Sequence, residues 1–300
     1  MAGVVLALVG CGQPPAPAVR LAGRPSVVSL NPCSDAIMAE VAAPGQLRAV
    51  SHYSHDPASS SMGVAEARRY PAVSGSVEEI AKLAPDIVIA DVFLPAPTVQ
   101  ALRDLGIEVV MIGSVNSVAS SEAQVRELAG ATGNVQAGEA LVQKIEQALR
   151  RAAPPARTFP ASALVWESGG IVAGDTTLIA DLLRRTGFVN AAAARGMRQA
   201  DYLPLEAMLA DPPQVILTTG SEQAQEDRLL SHPALTALKD TRREKFDSAL
   251  LWCGGPTIVR AAEELARLRR TIGGTAPQAT REARGRLGLA KRPRAPSDPV

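Results

Sequence analysis

SVEEIAKLAPDIVIAD, residues Ser76 to Asp91, contains a short amphipathic helix that runs directly into a buried strand. Glu78 opens the helix, where unpaired N–H groups and the positive end of the helix dipole favour a carboxylate. Ile80 and Leu83 follow at helical spacing, and Pro85 disfavours helical backbone in the residue before it. Ile87, Val88 and Ile89 then form the aliphatic run expected of a strand covered on both faces. The pattern recurs as PLEAMLADPPQVILTTG, Pro204 to Gly220, with the same spacing from Glu206 to Pro213 as from Glu78 to Pro85. Taken singly, each glutamate is a helix-start carboxylate and nothing more; the repetition implies two similar lobes.

A length of 300 residues exceeds the usual single domain, and a hydrophobic content of 46% supplies ample core. From Gly274 onward six basic residues face two acidic ones, a balance of +4, which leaves −3 for the rest of a chain whose total is +1. An acidic body argues against nucleic acid as a partner. The tail, 274–300, lacks apolar periodicity and is expected to be disordered. At the other end, the apolar run from Val4 to Cys11 is too short to span a membrane but fits the core of an export signal. Leu8-Val9-Gly10-Cys11 resembles the lipobox of bacterial lipoproteins, which implies acylation at Cys11, with the Pro-rich residues up to 23 as a tether.

Val27 to Leu30 is expected as the first strand, followed by a helix from Ser34 or Asp35 that presents Ile37, Met38 and Val41 to the core. Leu47–Ser51 is the next strand and His52 to Met62 a surface loop. A short strand at Ala72, a helix from Thr98 to Leu105 and a strand from Ile107 to Ile112 continue an alternating order that predicts a mainly parallel sheet. Residues 117–155 carry two helical stretches, including one long helix joining the lobes, with Leu141, Val142, Ile145 and Leu149 on one face. The second lobe, 156–273, is expected to hold a strand at Ala163–Trp166, a helix capped by Asp175, a short helix from Pro233 to Leu238, a strand at Leu250–Trp252 and a final helix from Thr257 to Ile272. The fold class is therefore α/β: two Rossmann-like lobes, the first spanning 24–116, with a ligand crevice between them.

Enzyme signatures are absent. The chain has no phosphate-binding glycine loop, no G-x-S-x-G elbow and no H-E-x-x-H pair. His52, His55 and Asp56 lie close together in a loop, a pattern better explained by a polar surface than by a metal site. Cys33 and Cys253 each follow an expected strand, one per lobe, which places both near the crevice at the carboxyl ends of the sheets. Three readings stay open for them, in descending order: small buried side chains, a disulfide, and soft ligation of a metal. Aromatic residues make up only 3% of the chain, yet Tyr53, Phe93, Trp166, Tyr202 and Trp252 fall at strand ends, where flat rings suit a large ligand. Trp166 and Trp252 fit a core position almost as well.

The segment VVSLNPCSD from Val27 to Asp35, the paired helix-strand copies, the joining helix and Trp252-Cys253-Gly254-Gly255-Pro256 together resemble the substrate-binding proteins of ABC importers for cobalamin and ferric siderophores. The likeness spans about Arg24 to Gly273. It implies a non-enzymatic, monomeric periplasmic protein without a resident cofactor, which holds a metal chelate between its lobes and passes it to a membrane permease. It also implies that Glu78 and Glu206 are the permease-docking carboxylates. Asn31, Cys33, Tyr53, Phe93, Trp166, Tyr202, Ser221, Trp252 and Cys253 are the candidate ligand-binding residues, with Asn31, Ser54, Asp201 and Ser221 available to the amides of a corrinoid. Cobalamin is favoured over an iron chelate because no arginine is placed in the crevice. The competing reading is an enzyme on the same two-lobed body, with a metal cofactor between Cys33 and Cys253.

Overall fold

The computed structural model describes residues 23–220 and 232–272. The lipobox with Cys11, the basic tail and Ser221 lie outside them. The first lobe runs β1 (Val27–Ser29), α1 (Pro32–Val41), β2 (Leu47–Ser51), α2 (Val64–Ala67), β3 (Ala72–Val73), α3 (Val77–Leu83), β4 (Ile87–Asp91), α4 (Ala96–Asp104) and β5 (Glu108–Ile112). Two helices follow, α5 (Val118–Ala131) and α6 (Val135–Ala152). The second lobe contains β6 (Ala161–Trp166), β7 (Ile171–Ala173), α7 (Leu178–Arg185), β8 (Phe188–Asn190), α8 (Ala191–Ala194), β9 (Ala200–Tyr202), α9 (Leu205–Ala210), β10 (Val215–Thr218), α10 (Pro233–Thr236), β11 (Arg242–Lys245) and α11 (Thr257–Ile272).

In the first sheet the order is β3-β2-β1-β4-β5 and every pairing is parallel. The chain reverses its direction of travel across the sheet between β1 and β4, the position at which open α/β sheets hold ligands beyond their carboxyl ends. The second sheet has the order β11-β10-β6-β7-β9, with β8 also paired to β6. Here β7 runs antiparallel to both β6 and β9, so the lobes are similar rather than matching. The repeated unit is nevertheless equivalent in both: β4 pairs with β1, and β10 pairs with β6, the first strand of its lobe.

Local chemistry accounts for the element ends. Ser76 caps α3 through the Glu79 amide, and the Glu79 carboxylate reaches back to the amide and hydroxyl of Ser74 at 2.8 and 2.6 Å. Glu79 thus closes the helix start while Glu78 points to solvent. Ala84, in left-handed backbone at φ 42°, ends α3 before Pro85.

The connection between the sheets consists of the two helices α5 and α6, broken at Thr132–Asn134 where Gly133 takes φ +72°. Gly138 lets them pack closely, since a Cβ there would collide with that of Ala129. Two expectations are corrected. Leu250–Trp252 is not a strand: Asp247 caps a short 3₁₀ turn ending at Leu250, and the edge strand is instead the charged Arg242–Lys245, paired to β10. Cys33 and Cys253 are joined in a disulfide, which replaces the favoured reading of two separate buried thiols.

Beneath the start of α1 lies a buried polar cluster. Asp35 is fully buried; its Oδ2 accepts from the Ser51 amide at 3.0 Å and the Ser54 hydroxyl at 2.6 Å, while Oδ1 has no partner. Burial pushes its carboxyl from 3.8 up to about 7, against the opposing hydrogen bonds from Ser29, Ser54 and Ser51. Because the native carboxyl keeps its proton where the unfolded one has lost it, native stability falls as pH rises from about 4 to about 7. Asp35→Asn removes that dependence. Its stability relative to wild type, measured by urea unfolding, should rise by about 1–3 kcal/mol between about pH 5 and about pH 8. A difference that does not change with pH would contradict this.

Candidate functional site

A cavity of about 330 Å³ opens between the two sheets, at the carboxyl ends of their strands. The first lobe contributes Asn31 and Cys33 from the β1–α1 turn, Asp91 to Phe93 from the end of β4, Ile112 to Asn116 after β5, and Gln124 from α5. From the second come Glu167 after β6, Ala173, Thr176 to Ile179 at the start of α7, Gln199 and Ala200, with Leu251 and Trp252 beside them.

The first-lobe wall is held by its own hydrogen bonds. Asn31 caps α1 by accepting from the Cys33 amide at 2.8 Å and donates through Nδ2 to Asp91 at 2.9 Å. The other Asp91 oxygen accepts from the Phe93 amide at 2.8 Å, which orients the turn carrying that ring. Gln124 donates to the Gly113 carbonyl at 2.8 Å. Across the cavity, Thr177 caps α7 and Thr176 donates to the Arg198 carbonyl at 2.6 Å. Glu167 differs from these: among the described residues its carboxylate has no hydrogen-bond or ionic partner, and burial alone pushes it from 4.5 up to about 7. No lysine, arginine or histidine occurs among the described lining residues.

Phe93 and Trp252 stand at the mouth, 80% and 60% exposed. Both are ring systems that water covers only at a cost, ready to lie against an apolar ligand face.

Of the residues singled out from sequence, Asn31, Cys33, Phe93 and Trp252 line the cavity. Cys253 lies directly behind, buried and bonded to Cys33. Trp166 does not reach it: at 0% exposure it packs with Leu164, Val172, Met208 and Ile216 in the second-lobe core. Its place in the regular ladder, opposite Thr218 and Val172, turns the ring into that core. Tyr53 and Tyr202 are exposed but outside the lining; Tyr53 lies against His52, ring centres 4.0 Å apart. Ser54 is committed to Asp35, and the Asp201 carboxylate accepts from the Tyr202 amide. His52 and His55 face backbone carbonyls, of Val73 and of Ala67 and Tyr70 respectively.

Sequence reasoning missed Asp91 and Glu167, although a signal existed. Each is a carboxylate at the carboxyl end of a buried aliphatic strand, IVIAD and ALVWE, where a side chain is carried into the crevice. Glu78 and Glu206 are both the second residue of their helices, α3 and α9, exposed and without a partner among the described residues.

Comparison with known proteins agrees with this architecture. The family profile described as "Periplasmic binding protein" matches residues 27–248. No curated protein matches the chain. Among solved structures, the periplasmic heme-binding protein HutB of Vibrio cholerae is 20% identical with a TM-score of 0.66, covering 81% of this chain and 98% of its own. The periplasmic heme-binding protein RhuT from Roseiflexus sp. RS-1 is 24% identical with a TM-score of 0.64, over 81% and 97%. The periplasmic vitamin B12 binding protein BtuF of Vibrio cholerae is 18% identical with a TM-score of 0.60, over 83% and 98%. At such identities the likeness establishes a shared two-lobed fold.

Proposed function

Because the chain belongs to the periplasmic binding protein family, a family of binding proteins rather than enzymes, we propose that its inter-lobe cavity receives a corrinoid such as cobalamin for delivery to an ABC permease. The observation that carries this reading is the chemistry of the lining. Two carboxylates, Asp91 and Glu167, face the cavity with amides from Asn31, Asn116, Gln124 and Gln199, and no basic side chain accompanies them among the described residues. A ferric catecholate or the propionates of heme would enter that field with negative charge unmatched, a desolvation cost without compensation. Corrinoids carry peripheral amides, which donate to carboxylates and pair with side-chain amides. The cavity is smaller than a whole corrinoid, so one edge would insert while the face rests on Phe93 and Trp252.

Calorimetric titration with cyanocobalamin, heme and a ferric siderophore tests the reading. Cyanocobalamin should saturate a single site with a Kd of about 1 μM or below, and the two anionic chelates should bind at least about tenfold more weakly. Heme or the ferric siderophore binding more tightly than cyanocobalamin would overturn it. Heme is the second reading, because HutB and RhuT, both heme-binding, share the fold.

The rest of the transport role is proposed on the same basis. A monomer, exported and anchored through an acylated Cys11, would present Glu78 and Glu206 to a two-fold permease. Among the described residues no helix is long and apolar enough to cross a membrane.

A further inference from the structure

We infer that the Cys33–Cys253 disulfide and the glycine pair behind it form a platform that fixes Trp252 at the cavity mouth, so that the bond governs ligand affinity as well as stability. This rests on the reading of the cavity as the ligand site.

The segment after the second sheet crosses to the first lobe and is tied there on both sides of its turn. Cys253 is bonded to Cys33 in the first turn of α1, with the two Cα atoms 4.9 Å apart. Next, Gly255 donates its amide to the Ser121 hydroxyl on α5 at 2.7 Å. A Cβ on Gly254 would collide with that same hydroxyl, and one on Gly255, at φ +59°, would lie 2.5 Å from Ile37 on α1. No other residue type sits this close to both helices. Beyond the turn, the Thr257 hydroxyl donates to the Ser61 carbonyl at 3.2 Å and the Arg260 guanidinium donates to the same oxygen. Leu251, on the other side of Trp252, is buried.

Trp252 itself is held by none of these bonds. Its indole is 60% exposed and has no hydrogen bond among the described residues. What places the ring is therefore the backbone on either side, with the covalent anchor at Cys253 one residue after it and buried Leu251 one residue before it. Since Cys33 lines the cavity and is bonded to Cys253, one covalent link sets the distance between the first-lobe wall and the ring. A ring positioned before the ligand arrives loses less freedom on binding.

The chain has only two tryptophans, and Trp166 is fully buried, so acrylamide reports selectively on Trp252. In Cys33→Ser/Cys253→Ser, quenching of Trp252 should change, its near-UV circular dichroism should fall, and the Kd for cyanocobalamin should rise at least about tenfold. Reduction of the folded wild-type protein with dithiothreitol, with far-UV dichroism unchanged, provides the same comparison if the variant does not fold. A core variant outside the cavity lining, Phe188→Leu, separates positioning from general loosening: it should leave both Trp252 and the Kd unaltered. If the serine variant or reduced protein keeps wild-type quenching and dichroism, the platform is refuted. Unchanged affinity with altered Trp252 signals would refute its role in binding. Absence of cyanocobalamin binding in oxidised protein removes the corrinoid reading, and the quenching data still judge the platform.

Discussion

Replacing Cys33 and Cys253 together by serine lowers the midpoint of thermal unfolding by roughly 10 °C. The two residues are separated by 220 positions, so the bond closes nearly the whole described chain into one loop. Loop-closure entropy for that length is about 5 kcal/mol at 25 °C, an upper figure because compact unfolded chains have already lost part of it. Typical measured values are about 2–4 kcal/mol, and a protein of this size shifts by about 2–4 °C per kcal/mol. The substitution at Cys253 adds to the cost, because it puts a hydroxyl in a buried position that held sulfur. Thermal scans followed at 222 nm, with and without reductant, check the prediction. A shift below about 2 °C would mean that the lobes are held together without the bond.

Removing both Glu78 and Glu206 cuts ligand uptake in cells by about tenfold or more while the Kd of the isolated protein stays the same. Each glutamate occupies the second position of its helix, one on each lobe, both exposed and both free of partners among the described residues. Glu79, one residue away, is tied down by Ser74, which marks Glu78 as the carboxylate left available. Exposed charges of this kind add little affinity individually, but two fixed points orient a complex and speed its formation. Both lie outside the cavity lining, so ligand affinity has no reason to move. Uptake by the double variant at the wild-type rate would sink the docking role.

Periodicity made most of the first lobe legible, because β1 and β4 are buried, mainly aliphatic runs, α3 carries a serine cap and α4 a proline in its first turn. The second lobe was harder to read. Strands β7, β8 and β9 have three residues each, too few for a period, and β11 is the charged run RREK at a sheet edge. The tryptophans show the same limit. Leu164-Val165-Trp166 and Leu250-Leu251-Trp252 are nearly the same tripeptide, yet a strand register buries one ring and a turn exposes the other. Asp91 and Glu167 each carry the signal of a carboxylate ending an aliphatic strand, but only the opposite lobe shows that the two face one cavity. The disulfide was equally a matter of tertiary distance, for nothing local distinguishes a paired cysteine from a buried one.

A corrinoid seated between the lobes would lie against Trp252, and the emission of that ring reports it. In the Trp166→Phe protein Trp252 is the only tryptophan. Cyanocobalamin should quench its emission to saturation in a single transition, with a Kd matching calorimetry and no competition from equimolar heme. Saturable cyanocobalamin binding that leaves Trp252 emission unchanged, or quenching by heme alone, would rule out a corrinoid against this ring.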